Sequence, residues 1–288
     1  MRPAAFEYFS PETIEEALDL IGEDARPLAG GQSLIALMNL RFATPDSLVD
    51  LQNIPDLTNV YIKDNCLSIG AMASQSDVEK NLSVVESAPL VSEGISEIGH
   101  WQIRTRGTVG GNLAHSDPAS ELPAVMVALN AKYCLATSTS EREVSAIDFH
   151  LGAYDTLLES NELLTRIVVP VQKPSQRSAL KETVRAAGAY AIAGATAVVE
   201  RELEKCTSAK IVLFGTGSKP FEVTDLEDIT VERKVDPDFL ATLEEHVLLR
   251  GPSFEDLHAT VEQRKQMHAS LAKRAFLAAW NKFEQERK

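Results

Sequence analysis

Residues 104–123 read RTRGTVGGNLAHSDPASELP, with three glycines, two arginines, two prolines and two acids ahead of the apolar run AVMVALNA. Glycine at Gly110 and Gly111 lets the main chain approach a partner with no Cβ in the way, and N–H groups at such a turn converge on an anion. The segment therefore reads as a binding loop leading into a helix near Leu122-Pro123. A second stretch repeats the chemistry: RPLAGGQSLIALMNLR, residues 26–41, runs from a short strand through Gly30-Gly31 into a helical pattern from about Ser33, with Leu34, Leu37 and Met38 on one face. Two turns flanked by hydroxyl and amide side chains suit the two adjacent phosphates of a dinucleotide. Neither matches GxGxxG or the Gly-Lys-Ser/Thr ending of a Walker A loop. Taken singly, each is equally a turn that uses glycine for its backbone geometry.

The chain has 288 residues, enough for one large domain or two to three smaller ones. Its 28 Lys and Arg against 42 Asp and Glu give a net charge of −14, which disfavours nucleic acid and anionic membranes as partners. No apolar run approaches a bilayer span, and the acidic N-terminal stretch MRPAAFEYFSPETIEEALDL carries no export signal, so a cytoplasmic location is expected. Cys66, Cys134 and Cys206 are widely separated and form no CxxC pair, so they read as reduced thiols. The histidines show no metal-ligand spacing, and no metal site is expected.

Outward from the turns, SPETIEEALDLIG (10–22) predicts an amphipathic helix with Ser10 as N-cap, Pro11 at its first position and Gly22 as terminator. SLVDL (47–51) reads as a strand, and VYIKDNCLSIGA (60–71) as a hairpin about Asp64-Asn65. SAPLVSEGISEIG (87–99) has helical spacing, KYCLAT (132–137) and LLTRIVVP (163–170) read as strands, and QKPSQRS (172–178) as a linker. Beyond it, AIAGATAVVE (191–200) and AKIVLFGTG (209–217) predict strands, and residues 236–250 and 260–288 two helices. The expected division is 1–55, 56–173 and 174–288.

AGGQSLIALMNLRFATPDSLVDL (29–51) and IGHWQIRTRGTVGGNLAHSDPASELPAVMVALNA (98–131) together resemble the two FAD-binding signatures of the flavoprotein (medium) subunit of the xanthine dehydrogenase and carbon monoxide dehydrogenase family of molybdenum hydroxylases. The likeness covers nearly the whole chain, with ELLTRIVVP (162–170) in the family's order. It implies an α+β fold of the FAD-binding PCMH (vanillyl-alcohol-oxidase) type, in which two α/β subdomains bracket FAD and a C-terminal domain adds a small antiparallel sheet with helices. It also implies partners: a large subunit carrying the molybdopterin cofactor and a small subunit carrying [2Fe–2S] clusters. Three scattered cysteines are too few for a four-cysteine cluster, in keeping with that division.

Carried over by residue, the resemblance places Ala29, Gly30, Gly31, Gln32 and Ser33 on one side of the pyrophosphate and Thr108, Gly110, Gly111 and Asn112 on the other. Asp117 and Glu121 would accept hydrogen bonds from ribityl or ribose hydroxyls. Leu164 and Tyr190 would lie by the isoalloxazine, with Lys181 as a polar contact. Departures from the family pattern fall near the flavin ring: Gly188-Ala189-Tyr190-Ala191 lacks the usual Asp, Thr105 stands for Asn, and Ala179 for an aromatic.

Other readings of the same residues stay open. Asp117 and Glu121 as an acid/base pair are disfavoured because Pro118 and Pro123 break a helix through both. His115 reads as a local hydrogen-bonding residue, Arg104 and Arg106 as ligands or salt-bridge partners of local acids, and Trp101 as packing. A self-sufficient flavin oxidase or reductase, and a non-enzymatic module whose glycine turns are only turns, remain alternatives to an electron-transfer subunit.

Overall fold

The computed structural model describes residues 2–231 and 233–285; the last three residues of the expected C-terminal helix lie outside the described residues. Among the described residues three larger sheets follow one another along the chain, and a two-stranded ribbon, His150–Gly152 with Asp155–Thr156, is inserted within the second. The first is parallel, with Ser47–Asp50 central between Glu7–Phe9 and Ala25–Leu28. Helix Ile14–Leu20 links Glu7–Phe9 to Ala25–Leu28, and helix Leu34–Asn39 leads from there towards the central strand. The first helix begins at Ile14 and not at Pro11: Thr13 Oγ1 accepts from Glu16 N–H at 3.1 Å, and Glu16 Oε2 accepts from Glu12 N–H at 2.9 Å. The Thr13 cap satisfies an end amide of the helix, Glu16 ties back the chain just before it, and together they outweigh the Ser-Pro signal upstream.

The second sheet is antiparallel, in the order Val60–Lys63, Cys66–Gly70, Leu163–Pro170, Lys132–Ala136, Glu141–Ser145. Asp64 (φ 50°) and Asn65 (φ 59°) form the hairpin turn, the left-handed pair that Asp and Asn tolerate best. Helix Pro89–Glu97 packs on helix Glu121–Ala128, and every residue of the latter is buried.

The third sheet is antiparallel and joins Gln176–Val184, Ala191–Glu202, Lys205–Phe214 and Phe221–Glu222, with Arg233–Lys234 pairing beside Lys205–Phe214. Its first strand starts inside the stretch that the sequence marks as a linker. Gln, Arg, Lys and Glu depress strand propensity there, and pairing with the long Ala191–Glu202 strand overrides it. On that strand Ala193, Ala195, Ala197 and Val199 alternate onto one buried face. Against it packs helix Val261–Gln285 through Ala269, Ala272, Ala275 and Ala279. The opposite face of the sheet joins the second sheet's core, which takes in Leu180, Val212 and Phe214. No described helix is long and apolar enough to cross a membrane.

Candidate cofactor site

The first turn leaves strand Ala25–Leu28 at Ala29 and enters helix Leu34–Asn39 after Ser33. Gly31 has φ +71°, a conformation glycine adopts without strain. Gln32 Nε2 donates to Gly30 O at 3.0 Å and pins the turn. The amides of Gly30, Gly31, Gln32 and Ser33 find no acceptor among the described residues. A row of free donors on half-exposed backbone is what an anion needs.

The second turn differs from the expected loop. Thr108 caps a helix, Val109–His115, whose N-terminal amides are already engaged: Val109 on Ala73 O at 3.1 Å, Gly110 on Ala71 O at 2.8 Å, Gly111 on Thr108 Oγ1 at 3.0 Å and Asn112 on Thr108 O at 3.1 Å. Its free donors are therefore side chains. Asn112 Oδ1 accepts from Ser120 Oγ at 2.9 Å, which leaves the Asn112 NH2 group available, and the Thr108 hydroxyl keeps its own proton. Gly110 and Gly111 are required by close packing: a Cβ on Gly110 would stand 2.4 Å from Ala71 Cβ, and one on Gly111 would stand 2.7 Å from Thr108 Oγ1.

The two turns touch. A Cβ on Gly30 would stand 2.0 Å from Arg106 O and 2.8 Å from Gly107 Cα, and one on Gly111 would lie 3.1 Å from Ala29 Cβ. The turn that follows the first sheet's strand Ala25–Leu28 and the segment that opens helix Val109–His115 thus meet backbone to backbone, and the free amides of the first lie beside the side-chain donors of the second.

Helix Val109–His115 ends at Ser116 in the left-handed region, φ 51° and ψ 45°. Burial holds this uncommon turn through Ser116 Oγ to His150 Nδ1 at 2.9 Å and His150 Nε2 to Tyr133 OH at 3.3 Å. Desolvation pushes the His150 imidazole down to about 4, so it stays neutral. The turn delivers Asp117, whose Oδ1 accepts from Ala119 N–H at 2.9 Å and Oδ2 from the Tyr154 hydroxyl at 3.2 Å. Glu121 opens the next helix, only 5% exposed, its carboxyl turned back on its own backbone N–H with no other side chain bonded to it among the described residues. Burial, then the negative charge of Glu182, pushes its carboxyl up to about 8. Glu182 is itself raised to about 7 by burial and by Glu97.

Tyr190 stands exposed beside these acids: loss of water around its hydroxyl, then the charges of Asp117 and Glu121, hold the phenol protonated. The turn before it crosses the ring of His100 at Gly188, φ +74°, where a Cβ would meet the imidazole at 2.4 Å. Leu164 is packed into the core beneath. Lys181 lies on the strand face of Ala179, which belongs to the C-terminal core, whereas Glu182 shares the opposite face with Leu180. The structure thus gathers the two turns and the group Asp117, Glu121 and Tyr190, and turns Lys181 to the other side of its sheet.

His115 packs on Tyr154, ring centroids 5.0 Å apart, and makes no hydrogen bond among the described residues. Arg104 pairs with Glu79 at 2.9 Å, one of the two roles its sequence left open. Trp101 is 64% exposed on a four-residue helix that buries nothing, contrary to the packing role expected of it.

The sequence matches the family described as "FAD binding domain in molybdopterin dehydrogenase" over residues 4–172, and "CO dehydrogenase flavoprotein C-terminal domain" over residues 178–279. The chain belongs to this family. Among relatives of this medium subunit, the caffeine dehydrogenase subunit beta of Pseudomonas sp. (strain CBB1) is 35% identical over 97% of this chain and 96% of its own. The carbon monoxide dehydrogenase medium chain of Hydrogenophaga pseudoflava is 31% identical over 97% and 99%. Its solved enzyme superposes with a TM-score of 0.93 at 32% identity, covering 97% of this chain and 99% of that one. Quinoline 2-oxidoreductase from Pseudomonas putida 86 does so with the same TM-score and identity, over 97% and 98%. The α+β fold expected from the two signatures is the one observed, and the medium subunit is an FAD-binding component of an oxidoreductase.

Two functional groups escaped the sequence. Glu182 lies in the supposed linker's continuation with no motif around it, and His150 is far in sequence from the turn it supports. Both act through a stability signature of the medium subunit. Glu121 and Glu182 hold protons in the folded state that the unfolded chain loses above about 4.5, so stability falls as pH rises through about 7 and 8. The imidazoles of His115, His150 and His268, each lowered by burial, act in the opposite sense and only below their unfolded value of 6.5. Between pH 6.5 and 8 the carboxyls act without that opposition. Scanning calorimetry of the cofactor-free chain is expected to show a loss of about 2 kcal/mol over this interval, or about 3 °C in Tm. Glu121→Gln should flatten the profile; a wild-type Tm that rises from pH 6.5 to 8 would contradict the assignment.

Proposed function

We propose that this medium subunit accepts electrons from iron–sulfur clusters on a small partner subunit and passes them through its FAD to an external acceptor, in a complex whose large subunit carries the molybdopterin cofactor. The observation that carries the reading is the backbone contact between the two glycine turns, with four unengaged amides on one side of it. FAD fits this cradle, because a diphosphate needs convergent donors and close approach, and no lysine is required. The amides of Gly30, Gly31, Gln32 and Ser33, next to Ala29, would hold the diphosphate from one side. Thr108 Oγ1–H and the Asn112 NH2 group would hold it from the other, with Gly110 and Gly111 keeping the second wall thin.

Asp117, Glu121 and Tyr190 would face the ribityl and ring portion, Leu164 would support the wall from behind, and Lys181, on the far face of its strand, would act at most through its backbone. Bound FAD supplies exchange between one-electron and two-electron carriers; the chain's part is to orient it, exclude water and set its hydrogen bonds. Cys66, Cys134 and Cys206 are separate free thiols, two of them buried, which supports placing the clusters on another chain. A cytoplasmic location belongs to the same proposal.

Titrating the purified, cofactor-free chain with FAD tests the reading. One FAD per chain, a flavin spectrum and no turnover of organic substrates until the partner subunits are added are the expected results. A colourless chain that ignores FAD would mean that the glycine turns are only turns. Substrate oxidation by the flavin-loaded chain alone would favour a self-sufficient oxidase.

A further inference from the structure

Three elements make their closest approach at Gly94. A Cβ there would stand 2.7 Å from Val125 Cγ2 and 3.8 Å from Leu180 Cδ1, so helix Pro89–Glu97, helix Glu121–Ala128 and strand Gln176–Val184 are locked together at this point. Periodicity then places three carboxyls on the same three faces. Glu97 is three residues beyond Gly94 on its helix, Glu121 four before Val125 on the other, and Glu182 two beyond Leu180 on the strand. They converge closely enough for each to act on the charge of the next.

No cation answers them. Among the described residues none of the three makes an ion pair, the buried Glu121 carboxyl is met only by its own backbone N–H, and Glu182 Oε2 is shut off from solvent with no hydrogen bond. The groups on the elements packed against helix Glu121–Ala128 are neutral or engaged elsewhere: His115, which closes helix Val109–His115, packs on Tyr154 and is held below its ordinary value by burial, and Lys210 of the third sheet pairs with Glu222 at 3.0 Å. On the Pro89–Glu97 helix Glu93 is taken by Lys282 Nζ at 2.8 Å and by Leu180 N–H at 2.9 Å, which also engages the one lysine of helix Val261–Gln285 that reaches this junction. Asp117, on the preceding turn, has both oxygens engaged; Lys181 is on the reverse face of the strand; Tyr190 brings a neutral phenol. Two carboxyls held out of water near one another without a counter-ion resist ionising together, so such a pair retains a proton at neutral pH.

Resting on the FAD reading above, we propose that Glu182 is a positioning residue that keeps Glu121 protonated, and that Glu121 consequently donates a hydrogen bond to an acceptor atom of FAD instead of accepting one from a hydroxyl. The carboxyl is then a donor at neutral pH, and ionising it costs the cofactor a hydrogen bond and adds a negative charge beside an already anionic ligand.

The test is the FAD dissociation constant of the full chain from pH 6 to 9.5, read by flavin fluorescence, with the infrared carbonyl stretch of protonated carboxyls recorded on the same samples. Affinity should hold up to about pH 8 and then weaken by about tenfold per pH unit, as one-proton linkage requires. Glu121→Gln, a permanent neutral donor, should bind within about threefold of wild type with a flat profile and lack one carboxyl stretch. Glu182→Gln should bind normally at pH 6 and begin to weaken about half to one pH unit earlier, a shift that a purely structural role would not produce.

Affinity that rises with pH, or a folded Glu121→Gln chain that binds far more weakly at every pH, would show Glu121 to be a carboxylate acceptor and overturn the proposal. So would an unshifted profile in Glu182→Gln. Failure of the wild type to bind FAD at any pH would instead remove the cofactor reading itself, and this inference with it.

Discussion

A Gly30→Val chain will fold and fail to retain FAD. Its Cβ would be driven to 2.0 Å from Arg106 O, and the atom in the way is backbone in a segment whose own amides are tied down. Relief requires the two turns to part by an ångström or more, which breaks the convergence of donors on which diphosphate binding rests. The expected loss of affinity is at least about 100-fold, or about 3 kcal/mol, while overpacking at this surface-near contact costs the fold only about 1–2 kcal/mol. Gly31→Asn is the graded companion. Its left-handed φ is one that Asn tolerates and its Cβ would press only on the flexible Ile35 side chain at 3.2 Å, so a loss of about tenfold or less is expected. Calorimetric titration with FAD, beside circular dichroism to check the fold, decides the matter. Equal retention of FAD by both variants and wild type would show that the cofactor does not lie against this contact.

Arg264→Met will destabilise the C-terminal region by about 3 kcal/mol, because it removes a buried cation that bonds two backbone carbonyls and Asp256. Arg264 is 1% exposed. Its guanidinium donates to Ile192 O, to Gly215 O at 3.0 Å and to Asp256 Oδ1 at 2.6 Å, over the ring of Phe254 at 4.7 Å. Methionine fills most of the volume but satisfies none of those oxygens. The effect should also reach the cofactor site. Gly215, φ +69°, donates its N–H to Pro118 O at 2.8 Å, between the two acids of the second signature. Urea unfolding should therefore report lower stability, and FAD titration a weaker site, from a residue outside both signatures. A stability change below about 0.5 kcal/mol would mean that water or rearranged side chains replace the arginine without loss.

How much of this was legible beforehand varies with how local the determining physics is. The hairpin about Asp64-Asn65 and the strand–turn–helix at Gly30-Gly31 depend on neighbours in sequence, and both were read directly. The Thr13–Glu16 cap was equally local, yet a competing Ser-Pro signal three residues upstream obscured it. The helix Val109–His115 reads as a loop in sequence because glycine pairs argue against helix; its start is held by bridges to Ala71 and Ala73, which no local pattern displays. Strand Gln176–Val184 carries the composition of a linker and becomes a strand only through its partner. Within the site, the turns were evident from their chemistry. The roles of Glu182 and His150 were not, because each arises when tertiary packing removes water from a side chain that looks ordinary in sequence.

Helix Glu121–Ala128, buried along its whole length, touches the helices of the second sheet on one side and strands of the third on another. A protease cut in the segment 171–175 would consequently not liberate two soluble halves, since either piece would present an oily flank to water. The nicked polypeptide should stay together as one particle, and a nucleotide held as proposed at the head of that same helix should stay with it.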